Sequence, residues 1–436
     1  MFQNVLIGAW GDLSQPADLN ADWQIDMSTY NMPSRGHPLL KETGALLRRS
    51  QPTARPRIQA LSASLIREVA NAAMSRKDIL PFWFGESDQP TPAFIRKAAT
   101  ASLQKGETFY TENMGRAYLR EQVSAYLTDL HQTRIGADRI AMTSSGDSAL
   151  MLAGQLILEP GDHVVLITPL WPNLVEMPKI LSAEVTCVPL EVRAGRWALP
   201  LEKVLAAIGP NTRMLYVNSP NNPTGWTISR DEQRILFEHC RRHGIWILAD
   251  DVYERLIYRD GLRAAPSFLT LAEEDDRVIG VNSFSKAWRM TGWRVGWMVV
   301  PPSIVPNLAC LIEYNTSCIP EFVQRAATAA LQYGEPHVAR LRSELIAARQ
   351  YLIDGLRALP GIEVPESDGA MYVFLRIAGY ADSLQLAKLL VEEAGLGLAP
   401  GRAFGPEGEG WLRWCYATDL KKLHLGLERL AAFLAK

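Results

Sequence analysis

Cysteine is scarce in this chain and poorly placed for cross-linking. Cys187, Cys240, Cys310, Cys318 and Cys415 are scattered, odd in number and without C-x-x-C spacing. That pattern argues against a disulfide framework and for a reducing compartment. Long apolar runs are missing as well: no stretch approaches the roughly 20 residues that a membrane-spanning helix requires. The first residues, Met-Phe-Gln-Asn-Val-Leu-Ile-Gly-Ala-Trp, lack a charged segment followed by a long apolar one, so no secretory leader is read there. Charge of one sign is also lacking. With a net charge of −2, and only the short pairs Arg48-Arg49 and Arg241-Arg242 as basic clusters, nothing recommends nucleic acid or an anionic membrane as a partner. The cytoplasm is the expected location.

Metal and dinucleotide patterns fail in the same way. His239 and His243 stand four apart on one helical face, but no third ligand or general-base glutamate accompanies them. A solvated pair is the simpler reading, and no metal is expected. Gly405, Gly408 and Gly410 do not follow a strand in G-x-G-x-x-G register. The first 55 residues show no helix-turn-helix pattern, and the chain has no internal repeats or low-complexity tracts.

The chain does have length and core. Its 436 residues, 47% hydrophobic and 21% charged, suit a globular protein of two domains, or of one large and one small. Residues 1 to about 55 stand apart, rich in Asp, Asn, Ser, Pro and Trp without clean periodicity, and Gln51-Pro52-Thr53-Ala54-Arg55-Pro56 reads as a linker. Beyond it, strand and helix signals alternate. Helices are expected over 93–104, 117–130 and 229–243, the last opened by Ser229 with Asp231 and Glu232 in its first turn. Short apolar runs at 140–142, 164–168, 185–190, 214–217, 245–249 and 278–281 have the length of buried parallel strands. This predicts an α/β sheet with ligands at the carboxyl ends of its strands. A long helix near 338–358, strands near 370–377 and 412–416, a helix near 383–394 and a final amphipathic helix read as a smaller α+β domain.

The most informative stretch is Ser283-Phe284-Ser285-Lys286, followed by Gly292-Trp293-Arg294-Val295-Gly296. A lysine amine so placed can form an imine with an aldehyde cofactor such as pyridoxal phosphate, while hydroxyls and a guanidinium hold the phosphate. A surface lysine beside an ordinary turn is the bland alternative. Four further segments bear on the choice. Thr143-Ser144-Ser145-Gly146-Asp147 follows a strand and opens a helix, whose free N–H groups attract phosphate, although a simple N-cap would look the same. Trp171, in Pro169-Leu170-Trp171-Pro172-Asn173, can stack on a ring or simply belong to the core. Asn222, in Asn218-Ser219-Pro220-Asn221-Asn222-Pro223-Thr224-Gly225, can donate to a ring hydroxyl or sit in an ordinary turn. Asp250-Asp251-Val252-Tyr253 ends an apolar strand, where a carboxylate could keep a pyridine nitrogen protonated. A solvated acidic turn fits Asp251 better than Asp250.

Taken together and in order, these segments resemble the fold-type I, class I pyridoxal-phosphate-dependent aminotransferases, from about Ile58 to the C-terminus. The resemblance implies a large α/β domain with a mainly parallel central sheet over 91–322. It also implies a small α+β domain built from 56–90 and 323–436, preceded by an N-terminal extension over 1–55. It implies Lys286 as the Schiff-base lysine and proton shuttle, Asp250 at the pyridinium, Tyr253 and Asn222 at the ring oxygen, and Trp171 on the ring face. Ser145, Gly146, Asp147, Ser283, Ser285 and Arg294 would form the phosphate cup. Tyr110 matches a tyrosine that reaches the neighbouring subunit's phosphate, so a homodimer with shared active sites is implied. Gly85 matches a glycine whose backbone faces the substrate carboxylate. Arg413, in Trp411-Leu412-Arg413-Trp414, matches the arginine that grips that carboxylate, where a bidentate fork fixes orientation.

The implied reaction exchanges an amino group between an L-α-amino acid and a 2-oxo acid in ping-pong fashion. The same core could serve a β-lyase, cyclase or oxidase. A non-catalytic cofactor-binding regulator fits worse, because Lys286 is retained. The chain departs from the family pattern in three places: the acidic Asp147, Ser87 where proline is common, and the long N-terminal arm. Trp288, Trp293, Trp297 and Trp414 suit an aromatic pocket or a packed core equally, and no second arginine is assigned to a distal carboxylate.

Overall fold

Seven strands give the molecule its frame: β1 (Ile140–Thr143), β2 (His163–Thr168), β3 (Glu184–Pro189), β4 (Thr212–Asn218), β5 (Trp246–Asp250), β6 (Val278–Ser283) and β7 (Gly296–Val299). The computed structural model describes residues 53–436, so the expected N-terminal extension lies outside the described residues but for its last three positions. The sheet order is β1-β7-β6-β5-β4-β2-β3. All strands point the same way except β7, which runs antiparallel to both β1 and β6.

Side-chain alternation explains why these runs are apolar throughout. Val165, Ile167, Leu215, Val217, Ile247 and Ala249 enter one core, while Val164, Leu166, Met214, Tyr216, Trp246 and Leu248 enter another on the opposite face. A sheet covered on both faces has no side to leave polar. Burying each such aliphatic side chain contributes about 1.5–3 kcal/mol. The covering helices follow their local signals. Arg230–His243 starts on a full capping box between Ser229 and Glu232 and ends at Gly244, whose φ of 67° is the left-handed geometry that glycine adopts freely.

A second, antiparallel sheet consists of β8 (Ile362–Glu363), β9 (Tyr372–Ile377), β10 (Ala399–Pro400) and β11 (Trp411–Cys415), in the order β8-β9-β11-β10. Glu335–Arg357, Ser383–Ala394 and Leu420–Leu434 are the helices expected beside it. Leu80–Pro81 pairs in parallel with Leu396–Gly397, and the Phe82 carbonyl accepts from the Cys415 amide at 3.2 Å. Those links carry the segment Trp83-Phe84-Gly85 to the end of β11. Residues 55–436 form one compact unit. All five thiols are free, as their spacing implies.

Candidate active site

The carboxyl ends of β1, β4, β5 and β6 converge on a cavity of about 410 Å³. It is lined by Gly85, Gly146, Asp147, Trp171, Asn222, Asp250, Tyr253, Ser283, Ser285, Lys286, Arg294 and Arg413, twelve of the residues singled out from sequence. Ser145 lies just behind the wall, buried, capping the helix Gly146–Ile157 by accepting from the Ser148 amide at 3.1 Å. Tyr110 is not brought to this cavity; its side chain is 87% exposed.

Lys286 follows β6 directly, so the strand end delivers it. Its Nζ donates to the Gly85 carbonyl at 2.8 Å and sits 5.5 Å from the centre of the Tyr253 ring. Burial holds its pKa below the usual lysine range, which favours the neutral amine. Gly85 is required there because a Cβ would run into the Tyr372 hydroxyl.

Asp250 ends β5 and is 3% exposed. Burial pushes its carboxyl up to about 6, against a 2.7 Å hydrogen bond from the Tyr216 hydroxyl and one from the Val252 amide that favour the charged form. A cation placed beside it would restore the charge. Asp251 is no solvated turn: it is buried, accepts from Ser267 Oγ at 2.8 Å, and is held well above the usual carboxylate range by burial and by nearby Glu254. The Tyr253 hydroxyl meets that of Tyr372 at 2.6 Å.

The far end of the cavity is built for an anion. Gly146 opens a helix whose first N–H groups have no intrahelical acceptor. Ser283 Oγ donates to Ser285 Oγ at 2.9 Å. Arg294, at a φ of 50°, pairs with Asp147 at 2.9 Å. The Asp147 carboxylate is thus turned onto the guanidinium, while its N–H remains part of the helix start. A Cβ on Gly296 would lie 2.6 Å from the Asn282 carbonyl and 2.8 Å from the Gly146 amide, so only glycine lets β7 pass so close to the turn.

Arg413 sits mid-strand in β11, opposite Phe374, and is 2% exposed. It donates to Asn222 Oδ1 at 2.9 Å and to the Trp83 carbonyl, and lies over the rings of Tyr372 and Phe404. Its Nε has no hydrogen-bond partner, and no carboxylate pairs with it among the described residues. Burying a guanidinium without an anion is costly; a bound carboxylate would relieve that cost.

Sequence reasoning missed Tyr216, Tyr372, Asn218 and Arg67, all of which touch Asp250 or line the cavity. Alternation along β4 offered one signal, placing Tyr216 two residues before Asn218. Of the four tryptophans, none lines the cavity; Trp288, Trp297 and Trp414 are buried in the core, and Trp293 donates to Thr91 Oγ1.

A lysine, a buried carboxylate and an open helix start at the strand ends of a doubly covered sheet are the arrangement of a fold-type I enzyme of amino-group chemistry. The profile of the family "Aminotransferase class I and II" matches residues 77–430. An aspartate aminotransferase of Pyrococcus horikoshii is 33% identical over 86% of this chain and 95% of its own length. An arginine–pyruvate transaminase of Pseudomonas aeruginosa is 32% identical over 83% and 91%. The structure of Thermus thermophilus aspartate aminotransferase with maleate superposes with a TM-score of 0.81 at 30% identity, covering 88% of this chain and all of that one. The chain belongs to the class I and II aminotransferases, whose members use pyridoxal phosphate, and it is a transaminase.

Proposed function

We propose that the protein moves an amino group between an L-α-amino acid and a 2-oxo acid, with Lys286 as the amine that holds pyridoxal phosphate. The supporting observation is that Lys286 and Arg413, an amine of lowered pKa and a buried guanidinium without an acidic partner, face one cavity. The donor set suits the cofactor, offering an amine for its aldehyde, a buried carboxylate for its ring nitrogen and a helix start for its phosphate. When bound, pyridoxal phosphate supplies a carrier for the amino group and a ring that withdraws electrons from Cα.

The protein's residues do the rest. Asp250 would hold the ring nitrogen's proton by opposite charge, and Tyr216 fixes that carboxylate. Tyr253 and Asn222 would serve the ring oxygen, and Trp171 would cover a ring face. Ser145, Gly146 and the Asp147 N–H, with Ser283, Ser285 and Arg294, would hold the phosphate. Arg413, with Gly85, Trp171 and Asn222, orients the substrate. With the cofactor bound, Lys286 Nζ would take the proton from the substrate Cα and return it across the intervening nitrogen, two atoms away, a task for which a lowered pKa suits it.

Division into a large domain over 91–322 and a small one from 56–90 and 323–436 is part of the same reading, as is a cytoplasmic homodimer. Its support is surface chemistry: Phe109, Tyr110 and Tyr314 are 82%, 87% and 90% exposed. Thr111 bonds Cys318 and Ile319, tying the segments that carry those rings together. Aromatic surface of this kind marks association sites. The test of function is stoichiometric. Wild-type holoenzyme should exchange amino acid for 2-oxo acid one for one, and Lys286→Ala should not. Release of ammonia or peroxide in place of the exchange would contradict the assignment.

A further inference from the structure

We propose that Arg67 receives a second anionic group on the substrate, so that dicarboxylic amino acids and oxo acids are the preferred pair. The proposal rests on the reading above, in which Arg413 takes the α-carboxylate.

Arg67 belongs to the helix Leu65–Ala73, whose first turn forms part of the cavity wall together with Ser64 and Ile66. Two features set its position. Val69, Ala70 and Ala73 anchor the helix by their burial, and Ser64 Oγ caps it by accepting from the Arg67 amide at 3.3 Å. The guanidinium then lies 4.8 Å from the centre of the Phe84 ring, next to Gly85. A cation held over a ring keeps a defined place while its N–H fork stays free for an anion.

The charges of the cavity make the argument. Its lining acids are Asp147 and Asp250. Asp147 is taken by Arg294, and Asp250 is buried with Tyr216. Glu68, next to Arg67 on the helix, is turned to Lys388 at 2.6 Å. Among the described residues, no carboxylate pairs with Arg67 or with Arg413. With Lys286 and Arg294 committed to the cofactor, two guanidiniums from different elements remain for the substrate. A monocarboxylic amino acid supplies an anion to only one of them. Arg67, being exposed, loses little by standing alone in water. A substrate that covers it without offering an anion would strand the charge, and this asymmetry produces selectivity.

The experiment uses holoenzyme, wild type and Arg67→Gln, with L-aspartate, L-glutamate, L-alanine and L-phenylalanine, and measures maleate binding by calorimetry. Losing one charge-assisted carboxylate contact should lower kcat/KM for aspartate and glutamate by about 30- to 100-fold, chiefly through KM. Alanine offers no second anion and should change by less than about threefold, while phenylalanine, which would cover the guanidinium, should gain rather than lose. Maleate affinity should fall with the dicarboxylic substrates, and Arg67→Lys should recover part of both. An equal change for all four amino acids, or unaltered maleate binding, overturns the proposal while leaving transamination intact. Wild-type holoenzyme that exchanges no amino acid with any oxo acid overturns the underlying function as well.

Discussion

Asp250 shows how one residue trades stability for chemistry. Its carboxyl titrates near 6 in the folded protein against an ordinary value of 3.8, because burial penalises the anion. Between those pH values the folded state binds more protons than the unfolded one, so stability falls as pH rises through that window. Two units correspond to about 3 kcal/mol, an order-of-magnitude figure. The cofactor-free Asp250→Asn variant should therefore be more stable than wild type above pH 6 in denaturant titrations, yet nearly inactive once loaded. Equal stability of the two at pH 8 would show that the buried charge is not the cause. Arg413→Lys keeps the charge but loses the fork. It should cost about 100-fold in kcat/KM for every amino acid tested, read by steady-state kinetics across several substrates.

At the scale of elements, local signals settle most of the architecture. The helix Arg230–His243 carries its own start and stop, so Ser229→Ala should destabilise the protein by about 1 kcal/mol in chemical denaturation without altering activity. The long strands were legible because both their faces are apolar, and the lysine loop because its hydroxyls and glycines stand close in sequence. β7 was not: Gly296–Val299 reads as the tail of a phosphate motif, and its reversed direction leaves no trace in side-chain period. β8 and β10 are two residues long, too short for any pattern. Tyr372 and Arg67 escaped for another reason. The Tyr253–Tyr372 contact joins residues 119 apart, and Arg67 gains meaning only beside Phe84 and the cavity, so neither role exists before the chain folds.

For the whole molecule, the proposed dimer would couple association to catalysis through the surface that bears Phe109, Tyr110 and Tyr314. If that face joins two copies, Phe109→Asp with Tyr314→Asp should give monomers by sedimentation. Tyr110→Phe, keeping the dimer, should weaken cofactor binding by about tenfold, the loss of one charge-assisted hydrogen bond. Unchanged cofactor affinity in Tyr110→Phe would remove the shared site, although not the fold. Each of these effects presupposes a cofactor anchored at one nitrogen. The direct measurement is borohydride reduction of the protein after incubation with pyridoxal phosphate, followed by peptide mapping. A single modified peptide carrying the label on Lys286, and none in Lys286→Ala, is the expected result; a label elsewhere, or no label, would contradict the account.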